Sequence, residues 1–261
     1  MAVEIDLSGE TALVTGAGRG IGADVVRRFA EAGADVVAAA RSVDELSAIV
    51  TEVEEEHGVS GLAVPTDLTD VAEIEALVEA SVDEFGVPSI LVNNAGANLI
   101  GDPLEHTVEE VDTMLDVNVR GLFLLTQRWA EAYRASDLER GRVINISSVI
   151  AELGVPMMTL YSGTKSGVRG ITRGFAATLA PDGVTVNSVS PGLTRVGRTE
   201  GLIDSPEDSP LDFDRIPAGR VGAPVDSANA CLFLASDLAS YVTGVDILVD
   251  GGVAFTAGLY K

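Results

Sequence analysis

The stretch Thr11-Ala-Leu-Val-Thr15-Gly-Ala-Gly-Arg-Gly20-Ile-Gly22 decides the fold, because a short apolar run leads directly into a glycine-rich turn. The apolar positions Val25, Val26 and Phe29 then repeat with a helical period, so a strand, a turn and a helix follow in order. Glycine permits the tight turn and lets the backbone approach a pyrophosphate, whose charge meets the free amides of the helix N-terminus. The stretch predicts a dinucleotide-binding turn, and a glycine-rich turn without a ligand is the alternative.

The alternation of strand and helix continues along the chain without a linker or a repeat. Apolar runs predict seven strands, at residues 11–15, 35–40, 61–65, 89–92, 142–146, 184–189 and 245–249. Strands separated by helices predict a Rossmann-like α/β fold, a doubly wound, seven-stranded parallel sheet flanked by helices, with residues 1–261 as one domain. In such sheets ligands bind beyond the carboxyl ends of the strands. The candidate residues at those ends are Gly16, Ala40, Asp67, Asn93, Ser148 and Pro191.

Lys165 is the only lysine apart from the terminal Lys261, in a chain that otherwise takes its positive charge from arginine. It follows Tyr161 by four residues, so in a helix the ammonium and the phenol lie on one face. A nearby cation lowers the pKa of a phenol from its ordinary value of ~10 and brings it within reach of acid–base work at neutral pH. A surface pair with this spacing by chance is the alternative interpretation.

Together, these and further motifs resemble the short-chain dehydrogenase/reductase family. The matches run almost end to end: Thr15–Gly22 is similar to the TGxxxGxG cofactor loop, Asn93–Gly96 to NNAG, Tyr161–Lys165 to YxxxK, and Pro191–Gly192 and Asp250–Gly252 to later landmarks. The resemblance implies an enzyme, a reductase or dehydrogenase that transfers hydride between a nicotinamide cofactor and a carbonyl or secondary alcohol.

The resemblance also implies a catalytic set of Ser148, Tyr161, Lys165 and Asn118. Tyr161 would exchange the proton, and Ser148 would hydrogen-bond the reacting oxygen. Lys165 would bond the nicotinamide ribose, and Asn118 would hold a water that links Lys165 to solvent. Two alternatives stay open, because the adjacent Ser147 competes with Ser148, and Asn118 could instead cap or kink its helix.

The cofactor contacts implied by the resemblance cluster at the strand ends. They are Gly16, Gly18, Arg19, Gly20, Ile21 and Gly22 in the first turn, Asp67 and Leu68 after the third strand, Asn94, Ala95 and Gly96 after the fourth, Pro191, Gly192 and Thr194 after the sixth, and Tyr161 and Lys165. Asn93 and Asn94 could equally be structural ties between strands. The family often has threonine five places after Pro191, where this chain has Val196.

The end of the second predicted strand bears on the choice between NADP and NAD. An acidic residue there would bind both ribose hydroxyls of NAD and repel a 2′-phosphate, but the chain has Ala40. Arg41 follows it and Arg19 lies in the glycine turn, so two guanidinium groups can bind the phosphate of NADP. The sequence predicts a preference for NADP. A pocket that also accepts NAD, with Arg41 as a solvent-exposed loop residue, is the alternative.

The chain has 17 basic and 40 acidic residues and a net charge of −23. Such a surface repels polyanions and argues against nucleic acid or an anionic membrane as a partner. Strong acidity with almost no lysine resembles proteins from salt-loving organisms, and an ordinary acidic bacterial enzyme is the alternative. His57 and His106 have no companions at ligand spacing, so no metal site is predicted, and Cys231 lies in an apolar run typical of a core.

No apolar stretch approaches the ~20 residues needed to span a bilayer, and the first residues lack the regions of a signal peptide. A cytoplasmic location is therefore expected. The resemblance implies a homotetramer formed through helices near residues 109–135 and 158–180. The tail at residues 253–261 either docks on a neighbouring subunit or frays.

Residues 193–217 are rich in turn formers and predict a substrate lid. Asn98 and the polar residues of that lid suit the hydroxyl groups of a sugar or polyol, so a sugar or polyol dehydrogenase is the first hypothesis. Apolar residues such as Val149 and Met157 either offer surface suited to an acyl chain or pack the core. The first interpretation supports a 3-oxoacyl-thioester (acyl carrier protein) reductase as the alternative. A cofactor-binding sensor or scaffold without turnover is a third hypothesis from another class.

Overall fold

The computed structural model describes residues 5–204 and 212–256. Parallel strands form one sheet, and they are β1 (Thr11–Thr15), β2 (Asp35–Ala40), β3 (Gly61–Pro65), β4 (Ile90–Asn93), β5 (Gly141–Ile146), β6 (Val184–Pro191) and β7 (Asp246–Val249). Every predicted strand is present, and its ends lie within two residues of the predicted ones. The predicted Rossmann-like fold is confirmed.

Helices cover both faces of the sheet. The α-helices within the described residues are α1 (Gly20–Glu31), α2 (Val43–His57), α3 (Val71–Phe85), α4 (Val108–Leu115), α5 (Leu122–Arg134), α6 (Thr159–Leu179), α7 (Gly197–Asp204) and α8 (Pro224–Ala235). A π-helical segment, Asp116–Gly121, joins α4 directly to α5. Side chains fix three helix starts, because Ser42 and Asp70 accept backbone hydrogen bonds at α2 and α3, and Thr107 forms a capping box with Glu110 at α4.

The strand order β3-β2-β1-β4-β5-β6-β7 reverses direction between β1 and β4. The chain first builds outward from β1 and then returns to add β4 on the other side. The turn after β1 and the loop after β4 therefore lie side by side at the carboxyl edge, where open α/β sheets bind their ligands.

Two apolar layers cover the faces of the sheet. In β1, Ala12 and Val14 face one layer and Leu13 faces the other, as the alternation of side chains along a strand requires. The first layer packs against α1, α2 and α8, and the second against α3, α5 and α6. Cys231 of α8 is fully buried in the first layer, where burial raises the pKa of its thiol to about 12. This thiol is therefore a core residue.

No helix among residues 5–204 and 212–256 is both long and apolar enough to cross a lipid bilayer. The same residues contain no group of three or more histidine, cysteine, aspartate or glutamate side chains arranged to hold a metal ion. Residues 205–211 of the predicted lid and 257–261 of the predicted tail lie outside the described part of the chain.

A chain of buried hydrogen bonds fastens the centre of the sheet to α6. Asn93 Nδ2 donates to Asn145 Oδ1 at 2.8 Å, and Asn145 Nδ2 donates to Thr172 Oγ1 at 2.9 Å. The Thr172 hydroxyl donates in turn to the carbonyl oxygen of Val168 at 2.8 Å. A buried polar group without a partner is costly, so this series of hydrogen bonds fixes the position of α6 against β4 and β5.

Replacement of Asn145 by alanine removes one partner each from Asn93 and Thr172 and opens a cavity. We therefore expect the free energy of unfolding to fall by about 2–4 kcal/mol. Asn229→Ala, at an exposed position of α8, is the matched control and should change that free energy by less than about 0.5 kcal/mol. Urea unfolding at molar salt measures both variants, and equal effects of the two substitutions would contradict the structural role of Asn145.

Candidate active site

The turn between β1 and α1 depends on close backbone approach. A Cβ atom added at Gly22 would lie 2.2 Å from the carbonyl oxygen of Gly16, and Gly16 has a left-handed φ of 64°. Asn94 fastens the turn from the end of β4, because its Nδ2 donates to the carbonyl oxygens of Thr15 and Gly16 at 2.9 and 3.0 Å. Glycine is therefore required at both positions.

The Thr15 hydroxyl makes a second tie between β1 and the loop after β4. Its Oγ1 accepts hydrogen bonds from the backbone N–H groups of Asn94 and Ala95, both at 3.1 Å. Asn93 is also a tie, through its bond to Asn145. The structure thus shows both asparagines of the NNAG motif as structural ties, and contact of Asn94 with a cofactor stays a prediction.

The N-terminus of α1 lacks the side-chain caps found at α2, α3 and α4. Arg19 occupies the N-cap position, but its side chain makes no capping hydrogen bond, and the first turn contains no acidic residue. The first amides of a helix need acceptors, and the positive end of the helix dipole favours an anionic one. The turn therefore fits the pyrophosphate of a dinucleotide.

Arg19 and Arg41 are exposed beside this turn, and neither lies within 4.0 Å of a carboxylate in the described part of the chain. Asp67, after β3, accepts hydrogen bonds from the N–H and hydroxyl of Thr69 at 2.9 and 2.8 Å. The Thr69 backbone bond, and to a smaller extent the charge of Arg41, lower the pKa of Asp67. Leu68 is buried in the second apolar layer.

Tyr161 and Lys165 lie on the buried side of α6, with exposed fractions of 6% and 4%. The ammonium nitrogen of Lys165 is 5.8 Å from the centre of the Tyr161 ring. It donates a hydrogen bond to the carbonyl oxygen of Ile146, at the carboxyl end of β5, at 2.8 Å. The helix predicted from the spacing is present, and it brings the ammonium and the phenol together.

Asn118 lies inside the π-helical segment and joins three parts of the site. Its Oδ1 accepts from Ala97 N at 2.8 Å, and its Nδ2 donates to Ala97 O at 2.9 Å and to Thr164 Oγ1 at 3.0 Å. A Cβ atom added at Gly96 would lie 3.2 Å from Asn118 Oδ1 and 3.3 Å from Lys165 Nζ. The loop after β4, the π-helical segment and α6 therefore converge on Gly96.

The two serines after β5 have different surroundings. Ser147 is buried and donates its hydroxyl to the carbonyl oxygen of Lys165 at 3.0 Å. Ser148 Oγ accepts a hydrogen bond from Ile150 N at 3.3 Å, and its own proton has no acceptor among the residues that the structure describes. Of the two, Ser148 keeps a donor for a ligand.

The loop after β6 returns toward the glycine turn. Pro191 ends β6, and a Cβ atom added at Gly192 would lie 2.7 Å from Asp250 Cα, so this loop packs closely on the turn after β7. Thr194 donates its hydroxyl to the carbonyl oxygen of Gly192 at 3.2 Å. Val196 packs over Gly20, where an added Cβ would lie 3.2 Å from Val196 Cγ1. An apolar side chain, rather than a hydroxyl, thus contacts the glycine turn here.

The loop after β4 is also bonded to the loop that precedes Tyr161. Gly101 N donates to the carbonyl oxygen of Met157 at 2.9 Å, and Met157 has a left-handed φ of 65°. Asn98 Oδ1 and His106 Nε2 are buried atoms without a hydrogen-bond partner in the described residues. These two loops carry Asn98 and Met157, one side chain from each of the competing substrate hypotheses.

Sequence reasoning missed the tie made by Thr15, the amide of Asn145 and the π-helical geometry around Asn118. Asn145 carries a sequence signal, because it is the one amide in the apolar run Val143–Ile146. The π-helical segment has no comparable signal. Its last residue, Gly121, packs closely on the loop after β3, because an added Cβ atom there would lie 2.5 Å from the carbonyl oxygen of Leu68. π-helical turns often occur at functional sites.

Comparison with known proteins gives matches along almost the whole chain. A family model described as enoyl-(acyl carrier protein) reductase matches residues 16–254. A 3-oxoacyl-(acyl-carrier-protein) reductase of Thermotoga maritima is 38% identical over 249 residues, which cover 95% of this chain and 98% of the relative. A gluconate 5-dehydrogenase from Burkholderia cenocepacia, solved in complex with NADP and tartrate, has a TM-score of 0.90 at 32% identity and covers 97% of this chain and 98% of its own.

A second solved structure, a short-chain type dehydrogenase/reductase from Mycobacterium marinum, has a TM-score of 0.88 at 36% identity, with 95% of this chain and 96% of that chain covered. The resemblance seen in the motifs is thereby confirmed over nearly the full length. This protein belongs to the short-chain dehydrogenase/reductase family of NAD(P)-dependent oxidoreductases.

Proposed function

We propose that this oxidoreductase interconverts a secondary alcohol and a carbonyl group of a sugar or polyol, with NADP as its preferred cofactor. The observation that carries the proposal is the convergence of Asn118 and Lys165 on Gly96, with Tyr161 beside them and an uncapped helix at the glycine turn. The gluconate 5-dehydrogenase of similar fold, solved with NADP and tartrate, supports the cofactor and the substrate class.

When bound, the nicotinamide ring supplies hydride for reduction or accepts it for oxidation. The Tyr161 phenol donates a proton to the oxygen of the carbonyl being reduced and takes it back in oxidation. The ammonium of Lys165 stabilises the phenolate that donation leaves. Ser148 donates a hydrogen bond to the same substrate oxygen and stabilises its developing charge. Ser147 is already bonded to the carbonyl of Lys165, which favours Ser148 for this role.

Asn118 assists proton movement between Lys165 and solvent. Its Nδ2 donates both hydrogens, to Ala97 O and Thr164 Oγ1, and one lone pair of its Oδ1 accepts from Ala97 N. The other lone pair can accept a hydrogen bond from a water. Such a water would pass a proton toward Lys165, whose ammonium lies beside the same Gly96. Asn118 would thus hold the loop after β4 in place and also bind the predicted water.

Two arginines that pair with no carboxylate of the described residues support NADP. Most arginines in the described part of the chain pair with a carboxylate, and these are Arg27, Arg28, Arg120, Arg128, Arg134, Arg140, Arg142, Arg169, Arg195, Arg215 and Arg220. Arg19, Arg41 and Arg173 pair with none among the described residues, and the first two flank the glycine turn. With Ala40 where an acidic residue would favour NAD, these two guanidinium groups can bind a 2′-phosphate.

The ion pairs also bear on the substrate. An acyl carrier protein is acidic and needs a basic docking surface. Five arginines are candidates for such a surface. Arg128, Arg134, Arg140 and Arg169 each pair with at least one carboxylate, whereas Arg173 pairs with none among the described residues. A surface on which four of these five charges are neutralised favours a small polar substrate over a carrier-bound acyl chain.

A 3-oxoacyl-thioester reductase is the second candidate, and a different observation favours it. Ile100, Leu104 and Met157 are exposed apolar side chains on the two loops joined by the bond from Gly101 to Met157, and they offer surface for an acyl chain. Val149, which the sequence also suggested for this surface, is buried and packs inside the protomer instead. The Thermotoga maritima relative is named for that reaction. A sensor or scaffold without turnover gains no support, because a binding module needs no phenol–ammonium pair.

We further propose that the protein works as a homotetramer in the cytoplasm, at high ionic strength, with subunits that meet through α5 and α6. Glycines recur along α6, and Cβ atoms added at Gly163, Gly170 and Gly174 would meet no atom of residues 5–204 and 212–256 within 4 Å. Phe123 of α5 is exposed, and its ring lies 5.2 Å from that of Phe175 on α6. A face of small residues beside an exposed ring lets a second copy of the helix approach closely.

A spectrophotometric screen of NADP and NAD against aldoses, polyols and 3-oxoacyl thioesters at molar salt tests the proposed reaction. We expect the highest kcat/KM with a sugar or polyol, and NADP preferred by at least about tenfold because two guanidinium groups bond its extra phosphate. Turnover of 3-oxoacyl thioesters alone would establish the second candidate. Cofactor binding without any turnover would establish the sensor.

Tyr161→Phe removes the proton donor and keeps the ring, so we expect turnover to fall by at least about 10²-fold while the Kd for NADP stays within about twofold. Tyr133→Phe makes the same chemical change at a buried tyrosine of α5 and is the matched control, with turnover retained. Lys165→Ala should impair both turnover and cofactor affinity. Full activity of the Tyr161→Phe variant would contradict the proposed mechanism.

Gly170→Leu places a side chain in space that is open in the protomer but lies within the proposed α6 contact. We expect this variant to keep its circular dichroism spectrum and lose the tetramer, as measured by light scattering at molar salt. Gly201→Leu, on α7, also has a Cβ position that meets no atom of the described residues within 4 Å, and it should remain tetrameric. An unchanged mass of the Gly170 variant would place the subunit contact elsewhere.

A further inference from the structure

Glu45, in the first turn of α2, packs directly on the glycine turn. A Cβ atom added at Gly18 would lie 2.8 Å from both Glu45 Cβ and Glu45 Oε2. Gly18 therefore accommodates this side chain only because it has none of its own. Ser42 caps α2 and accepts the N–H of Glu45 at 3.5 Å, which holds the backbone of Glu45 at this position.

The carboxylate of Glu45 has no hydrogen bond and no ion pair within residues 5–204 and 212–256. Two guanidinium groups that also lack a carboxylate partner in the described part of the chain are close in sequence: Arg19 follows Gly18, and Arg41 precedes the cap of α2. Most arginines in the described part of the chain pair with an acidic residue. Glu45, Arg19 and Arg41, by contrast, form no ion pair with one another. An anion that bound the arginines would have Glu45 as its neighbour.

We propose that Glu45 is a cofactor-specificity residue that opposes the 2′-phosphate of NADP and so limits the preference set by Arg19 and Arg41. The inference rests on the proposed use of NADP at this turn. A carboxylate near a phosphate that carries nearly two charges weakens its binding, whereas NAD has only a hydroxyl there. Glu45 thus keeps the turn able to accept both cofactors.

Glu45→Gln keeps the size and hydrogen-bonding shape of the side chain and removes its charge. Isothermal titration calorimetry with NADP, NAD, adenosine 2′,5′-bisphosphate and adenosine 5′-phosphate measures the effect without turnover. At ~0.1 M salt we expect Kd to fall about fivefold for the two ligands that carry a 2′-phosphate and to change less than about twofold for the other two. At ~1 M salt, where the Debye length is about 3 Å, the gain should shrink.

Glu55→Gln, at an exposed position near the other end of α2, changes the net charge equally and is the matched control, with no selective gain. Arg41→Gln should move the same ratio in the opposite direction. Circular dichroism at each salt concentration verifies that every variant is folded before titration.

An unchanged ratio of the two Kd values in Glu45→Gln would overturn the proposal. Equal weakening of all four ligands would also overturn it, because Glu45 would then only brace the glycine turn. If the wild-type protein binds neither NADP nor NAD, that result would instead contradict the proposed function itself. The two failures are therefore distinguishable in one titration series.

Discussion

Three hydrogen bonds hold α6 against the carboxyl half of β5 and the residue that follows it, and the positions of Tyr161 and Lys165 depend on them. Lys165 Nζ donates to Ile146 O at 2.8 Å, Ser147 Oγ donates to Lys165 O at 3.0 Å, and Asn145 Nδ2 donates to Thr172 Oγ1 at 2.9 Å. Lys165 is 4% exposed, and its ammonium requires acceptors, since burial of an unsatisfied charge is costly. Ile146 O supplies one of them, and the same bond helps to fix the helix that carries the phenol.

The reversal of strand order explains why the glycine turn and this helix form one site. β1 and β4 are neighbours although their sequences are far apart, so the turn after one lies beside the loop after the other. The ties run from Asn94 and Thr15 across that junction, and Gly96 then continues to Asn118 and Lys165. The glycine turn, with its close backbone contacts, and the buried hydrogen bonds around Asn118 and Lys165 therefore lie along the same carboxyl edge of the sheet.

Local patterns in the sequence predict the sheet and the phenol–ammonium pair. Strands buried on both faces read as continuous apolar runs, as in Thr11–Thr15, and Tyr161 and Lys165 stand in an i, i+4 relation that any helix would realise. The remaining geometry depends on contacts between distant segments. The bonds of Asn118 to Ala97 and Thr164 and the π-helical turn around it arise only when the chain is folded, so no local pattern encodes them.

The acidic surface and the free arginines act over different distances. A net charge of −23 repels a phosphorylated cofactor from afar and slows its approach at low ionic strength, whereas molar salt reduces the Debye length to about 3 Å and removes that repulsion. A phosphate in contact with a guanidinium lies within that length, so the contact persists. Arg27 and Arg128 are neutralised by carboxylates, but Arg19 and Arg41 have none in the described part of the chain. High salt therefore removes the long-range repulsion by the acidic surface but leaves the binding of a phosphate at the glycine turn in place.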